Sequence, residues 1–146
     1  MTTPAFSTQL IGQTEKALNA ILAKLLADTA VTEPQWVTLN VTLAGAEALS
    51  IAELSSRVAG VLKISAADAK TRLAELSTDG LLQVPEAAES PVTLTGDGHA
   101  LVRRVRAAVG DITGRLWGDL PEQGLAVAGR VLGTVLSRAD IELASA

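Results

Sequence analysis

The sequence predicts a mostly α-helical chain interrupted once by a small β-hairpin. Three observations carry that reading. Apolar residues recur at helical spacing over most of the chain. Thr32, Ser50 and Ser65 are each followed three residues later by Gln35, Glu53 and Asp68, the pattern of a hydroxyl cap with a reciprocating side chain. Between Leu81 and Thr95 the helical period is lost, and two short apolar runs flank a loop with Pro85 and Pro91 at its ends. The aromatic residues are Phe6, Trp36 and Trp117, so the core must be built from Leu, Val, Ile and Ala, which suits packed helices.

The elements come in order along the chain. Phe6 to Ala27 forms a first helix through Leu10, Ile11, Ala17, Leu18, Ile21, Leu22 and Leu25, with Ser7 or Thr8 as cap and a break at Asp28-Thr29. A second runs from Glu33 to Leu43, capped by Thr32, with Pro34 in its first turn and Gly45 at its end. Ser50 opens a short third helix through Val58, which Gly60 stops, and Leu49 before it is a stub of strand. Ser65 opens a fourth, reaching about Ser77 and ended by Asp79-Gly80. Leu81–Val84 and Val92–Thr95 are the hairpin strands, and Thr95-Gly96-Asp97-Gly98 caps the next helix. That helix, His99 to Trp117, is long and amphipathic, built on Leu101, Val102, Val105, Val109, Ile112 and Leu116. After a turn at Gly118–Glu122, Leu125 to about Leu143 closes the series.

Composition excludes several functions. Without Cys there is no disulfide and no thiol chemistry, and the single His99 builds no metal site alone. No nucleophile elbow, phosphate-binding glycine loop or acid/base pair is present, so the chain is not read as an enzyme and needs no cofactor. Apolar stretches are broken well before the roughly 18 residues of a membrane span. Met1-Thr2-Thr3-Pro4 has neither the basic nor the apolar region of a signal peptide, so the reading is cytoplasmic. Yet 48% of the 146 residues are hydrophobic against 19% charged, with mean hydropathy +0.33. That surplus predicts further burial, most simply between two copies. Phe6, Leu10, Trp117, Leu125, Val131 and Leu136 are the candidates for an intersubunit core, or else they pack within one chain.

The third and fourth helices with their tight turn make a helix-turn-helix, and the hairpin after them is a wing. In that design the second helix enters a groove of duplex DNA. Ala69, Leu73 and Leu76 mark its inner side. The outer side carries Ala67, Lys70, Thr71, Ala74 and Thr78, flanked by Asp68 and Glu75. Lys70 suits phosphate or guanine, and Thr71 suits a base edge or a thymine methyl. Arg72 on the flank, Lys63 and Ser65 at the turn and Arg57 on the third helix complete the candidate contacts. A merely solvated helix face fits the same residues. Net charge of −4 weighs against nucleic acid, although local distribution matters more than the total.

The runs Ser50-Ile51-Ala52-Glu53-Leu54-Ser55-Ser56-Arg57-Val58, Thr71-Arg72-Leu73-Ala74-Glu75-Leu76 through Gly80-Leu81-Leu82, and Val92-Thr93-Leu94-Thr95-Gly96-Asp97-Gly98 resemble, at the right spacings, the "t..eLA..l", "v..Le..GLi" and "v.LT..G" stretches of the MarR family of bacterial transcription regulators. Glu33–Leu39 is similar to the family's second helix. The resemblance spans nearly the whole chain. It implies a winged helix-turn-helix over residues 31–98 and a helical dimerisation region from residues 1–30 and 99–146. It further implies a homodimer on a palindromic operator in double-stranded DNA, and often a pocket for a small-molecule effector between the two regions. Trp36 lies where such pockets occur and offers a stacking face for an aromatic ligand, or is simply core.

The hairpin departs from the family, whose wing carries an acid-x-arginine signature with the arginine in the minor groove. Leu81 to Asp97 contains no Lys or Arg, only Glu86, Glu89 and Asp97. Phosphate repulsion opposes a minor-groove contact from such a tip. Arg103, Arg104 and Arg106 form the basic cluster, placed either near the DNA backbone or in pairs with acids. The expectations are therefore a DNA-reading regulator that acts as a repressor, or a MarR-like dimer that has lost DNA reading and binds a ligand or a protein.

Overall fold

The computed structural model describes residues 2–145. Its elements are α1 (Thr8–Leu26), α2 (Glu33–Ala44), α3 (Ile51–Leu62), α4 (Ala66–Thr78), β1 (Leu82–Gln83), β2 (Thr93–Leu94), α5 (Gly96–Trp117) and α6 (Glu122–Ser145). Two compact units divide them between Val109 and Gly110. Among the described residues no helix is long and apolar enough to cross a membrane.

The hydroxyl signals act as expected. Thr32 and Gln35 close a capping box at α2, Ser50 and Glu53 close another at α3, and Ser65 Oγ accepts from the Asp68 N–H at α4. These bonds satisfy amide donors that the first turn of a helix leaves without partners. Gly80 ends α4 at φ +79. Its N–H donates to Ser77 O and the Leu81 N–H to Leu76 O, a Schellman closure with Leu76 and Leu81 both buried.

The end of α3 corrects the sequence reading. Gly60 lies inside the helix, which runs on to Leu62, and Lys63 takes the left-handed conformation at φ 59. Packing sets this register: Leu62 and Ile64 on either side of the turn are half-buried against the core, so an earlier stop would strand them. The left-handed Lys63 costs roughly 1–2 kcal/mol. The strands are shorter than expected, with Leu82 opposite Leu94 and Gln83 opposite Thr93. Pro85 has no N–H to extend β1. The Val92 N–H instead donates to Leu49 O, so the stub at Leu49 lends one rung. Helix α5 starts earlier than His99, because Thr95 Oγ1 caps it by accepting from the Gly98 N–H.

The core of the first unit joins Leu39 of α2, Leu54 and Val58 of α3, Ala69, Leu73 and Leu76 of α4, the hairpin leucines Leu82 and Leu94, and Val102 and Val105 of α5. Each fully buried leucine contributes about 2 kcal/mol of hydrophobic stabilisation. The second unit holds the rest of α5 and α6, and α6 has no buried residue.

Candidate nucleic-acid interface

Helix α4 is clamped on one side only. Ala69, Leu73 and Leu76 are fully buried. Ala67, Lys70, Thr71, Ala74 and Thr78 are all exposed, as the periodicity requires. The Thr71 hydroxyl donates to Ala67 O at 3.1 Å. Its one proton is therefore engaged, and it presents a methyl group and an acceptor lone pair outward. Two small alanines flank Lys70 along this surface, so another molecule can approach the backbone closely.

Arg72 is less available. Its Nε lies 2.9 Å from Glu75 Oε1, and its Nη2 donates to Glu75 Oε2 at 3.3 Å. The Nε contact is an ion pair with poor hydrogen-bond direction, since that nitrogen makes no hydrogen bond. Both side chains are about a third or more exposed, so the pair is worth under about 1 kcal/mol and opens cheaply. Glu75 Oε1 also accepts from Nε2 of the buried Gln35 at 3.1 Å, tying α4 to the capping box of α2. The sequence signalled both ends of that contact as helix features but not the contact, which spans 40 positions.

Around α4, Ser65 and Lys63 stand at the turn, with Lys63 Nζ donating to Gly60 O at 2.7 Å. Arg57 is exposed on α3. Lys63, Ser65, Ala67, Lys70 and Thr71 are thus all exposed between the turn and the middle of α4, with Arg72 folded back on Glu75. A hollow of ≈ 380 Å³ runs between Ile51, the α4 residues Lys70, Ala74, Ser77 and Thr78, and Val84 of the hairpin. At the wing tip Glu86 and Glu89 are exposed.

The other candidates are dispersed. Trp36 is 8% exposed and packs in the core. Arg106 donates through Nε and Nη2 to Asn40 Oδ1 at 3.0 and 2.6 Å, whereas Arg103 and Arg104 are exposed. Arg106 thus bonds an amide oxygen on α2 rather than an acid. Leu10 is half-buried, and Phe6, Trp117, Leu125, Val131 and Leu136 are exposed. His99 Nε2 lies 3.2 Å from Glu47 Oε1, a contact with no sequence signal.

A capped helix-turn-helix with one exposed face, followed by a short antiparallel hairpin, is a winged helix-turn-helix. No protein-family model and no curated protein matches the chain. Solved structures do. The Mycobacterium tuberculosis MarR family protein Rv2887 in complex with DNA is 24% identical, with 90% of this chain and 98% of that chain covered and a TM-score of 0.66. The same protein in complex with salicylic acid is 25% identical over 90% and 99%, at 0.59. The S. aureus MepR–DNA complex is 18% identical over 92% and 99%, at 0.74. The chain has the MarR-family fold.

Proposed function

We propose that this chain is a cytoplasmic, homodimeric transcription regulator that reads a palindromic operator in double-stranded DNA, acts as a repressor and responds to a small aromatic ligand. The carrying observation is the outward face of α4, small and polar along its length while its opposite face is fully buried. Likeness to proteins solved with DNA and with salicylic acid supports the reading.

In this mechanism α4 lies in the major groove. Ala67 and Ala74 permit close approach, Lys70 donates to guanine or phosphate, and Thr71 offers its methyl to thymine. Lys63, Ser65 and the first amides of α4 hold phosphate, as does Arg57 from α3. Arg72 joins once it leaves Glu75. Two copies place their helices in half-sites about one helical turn apart. The acidic wing supplies no minor-groove cation, so affinity rests on the helices. Trp36 is the ligand-stacking residue, reached through local opening of the α2 core.

The exposed Glu86 and Glu89 favour one other reading, a MarR-like dimer that binds a ligand or a protein and no longer reads DNA. Fluorescence anisotropy on duplex from the chain's own upstream region, across a salt series, separates the two. The regulator reading expects sequence-preferring binding that weakens with salt. Lys70→Ala should cost about 1–3 kcal/mol and flatten the salt slope, and Thr71→Ala should relax specificity. A folded dimer that binds nothing at low salt would favour the second reading.

A further inference from the structure

The loop between α2 and α3 holds two consecutive non-glycine residues in the left-handed region, Ala46 at φ 57 and Glu47 at φ 55. Such strain persists only where the surroundings enforce it, and an observed outlier asks for a reason. The hairpin supplies one. Successive outward N–H groups of an antiparallel edge strand, two residues apart, seek acceptors two residues apart on the next strand. On the outer edge of β2 these donors are Val92 and Leu94. Val92 finds the backbone carbonyl of Leu49 at 2.9 Å. Continuing that register, Leu94 would meet the backbone carbonyl of residue 47. The left-handed turn takes that carbonyl out of the ladder, and the Leu94 N–H donates instead to Oε2 of the Glu47 side chain, at 2.9 Å. The other carboxylate oxygen, Oε1, reaches His99 Nε2 at 3.2 Å in the first turn of α5.

We propose that Glu47 is a positioning residue for the wing: its carboxylate replaces the missing backbone rung and ties β2 and the start of α5 to the α2–α3 loop. With two paired residues on each strand, the hairpin cannot hold its own direction; a hairpin of that size is marginal alone. The strut fixes that direction, and with it where the acidic tip of Glu86 and Glu89 stands. Its bearing on DNA rests on the function proposed above.

The test uses the full chain and two substitutions, with amide hydrogen exchange as a readout independent of DNA. Glu47→Gly relieves the left-handed strain but removes the strut. Glu47→Gln keeps an oxygen acceptor in place. Glu47→Gly should speed exchange at Leu94 by about tenfold or more, leaving Leu73 and Leu76 of α4 within about twofold, while Glu47→Gln preserves protection. A loosened hairpin lets the acidic tip swing toward phosphate, so duplex affinity should fall about three- to tenfold in the glycine variant and recover in the glutamine variant. Unchanged Leu94 exchange in Glu47→Gly overturns the proposal. So does a loss of protection spread evenly over α4, which would make Glu47 an ordinary contributor to stability. So does unchanged affinity beside a loosened hairpin. If the wild-type chain binds no duplex, the regulator reading fails by itself, and exchange at Leu94 alone sustains or overturns the strut.

Discussion

Gly98 sits where α5 crosses the hairpin. A Cβ there would lie 2.2 Å from Leu81 O and 3.1 Å from its carbonyl carbon, both backbone atoms that cannot turn aside. Alanine in place of a helical glycine is ordinarily a gain of about 1 kcal/mol. Here the sign reverses: Gly98→Ala should destabilise by about 2 kcal/mol or more, read as a lower urea midpoint with unchanged slope. An unchanged or raised midpoint would mean that the hairpin yields at Leu81. Thr95 beside it works twice, donating to Gly80 O at 2.6 Å and accepting from the Gly98 N–H at 3.0 Å. The cap at Thr95 and the stop at Gly80 were legible, because both act locally, whereas the approach of Gly98 to Leu81 and the bond from Thr95 to Gly80 O span 17 and 15 positions and carried no sequence signal. Glu47 was not legible. Its partners lie 47 and 52 positions away, its backbone angle is one that glutamate rarely adopts, and nothing in Gly45-Ala46-Glu47-Ala48 announces either fact.

Among the elements, the caps at Thr32, Ser50 and Ser65 placed three helix starts within a residue, since each is a local bond between a hydroxyl and an amide three positions on. The end of α3 was misplaced because glycine is tolerated within a helix, and burial of Leu62 and Ile64 outweighs its stop signal. The exposed face of α4 came from period alone, yet the pairing of Arg72 with Glu75 at three-residue spacing was missed as a limit on Arg72. If the Glu86–Glu89 tip stands near phosphate, then Glu86→Lys with Glu89→Lys should strengthen duplex binding about tenfold at low salt and steepen the salt dependence. Anisotropy titrations at several salt concentrations measure both quantities. Equal slopes for the variant and the wild type would place the tip away from the duplex.

Over the whole molecule, the sequence is rich in apolar residues for its length, and many of those left exposed stand on α6. Leu125, Val127, Val131, Leu132, Val135, Leu136, Ile141 and Leu143 are all exposed at or above 36%. A helix of this length with no buried residue has little reason to persist in water as a lone element, since most helical stability comes from packing an apolar face. A second copy is the simplest cover, and a two-fold contact makes a distinctive demand: each substitution is felt twice. Leu136 is 58% exposed, so a charge there costs the single chain almost nothing. Buried unpaired across a dimer contact, the same charge costs about 3 kcal/mol in each copy. Leu136→Glu should therefore raise the dimer dissociation constant at least about a thousandfold while leaving helix content unchanged. Sedimentation equilibrium checks this against Lys16→Glu on the polar side of α1 as a control for charge alone. A wild-type chain that is monomeric at tens of micromolar, or a Leu136→Glu chain as dimeric as the wild type, would remove α6 from the interface. Loss of duplex binding in the monomeric variant would in turn tie operator reading to the paired form, because one helix-turn-helix holds only one half-site.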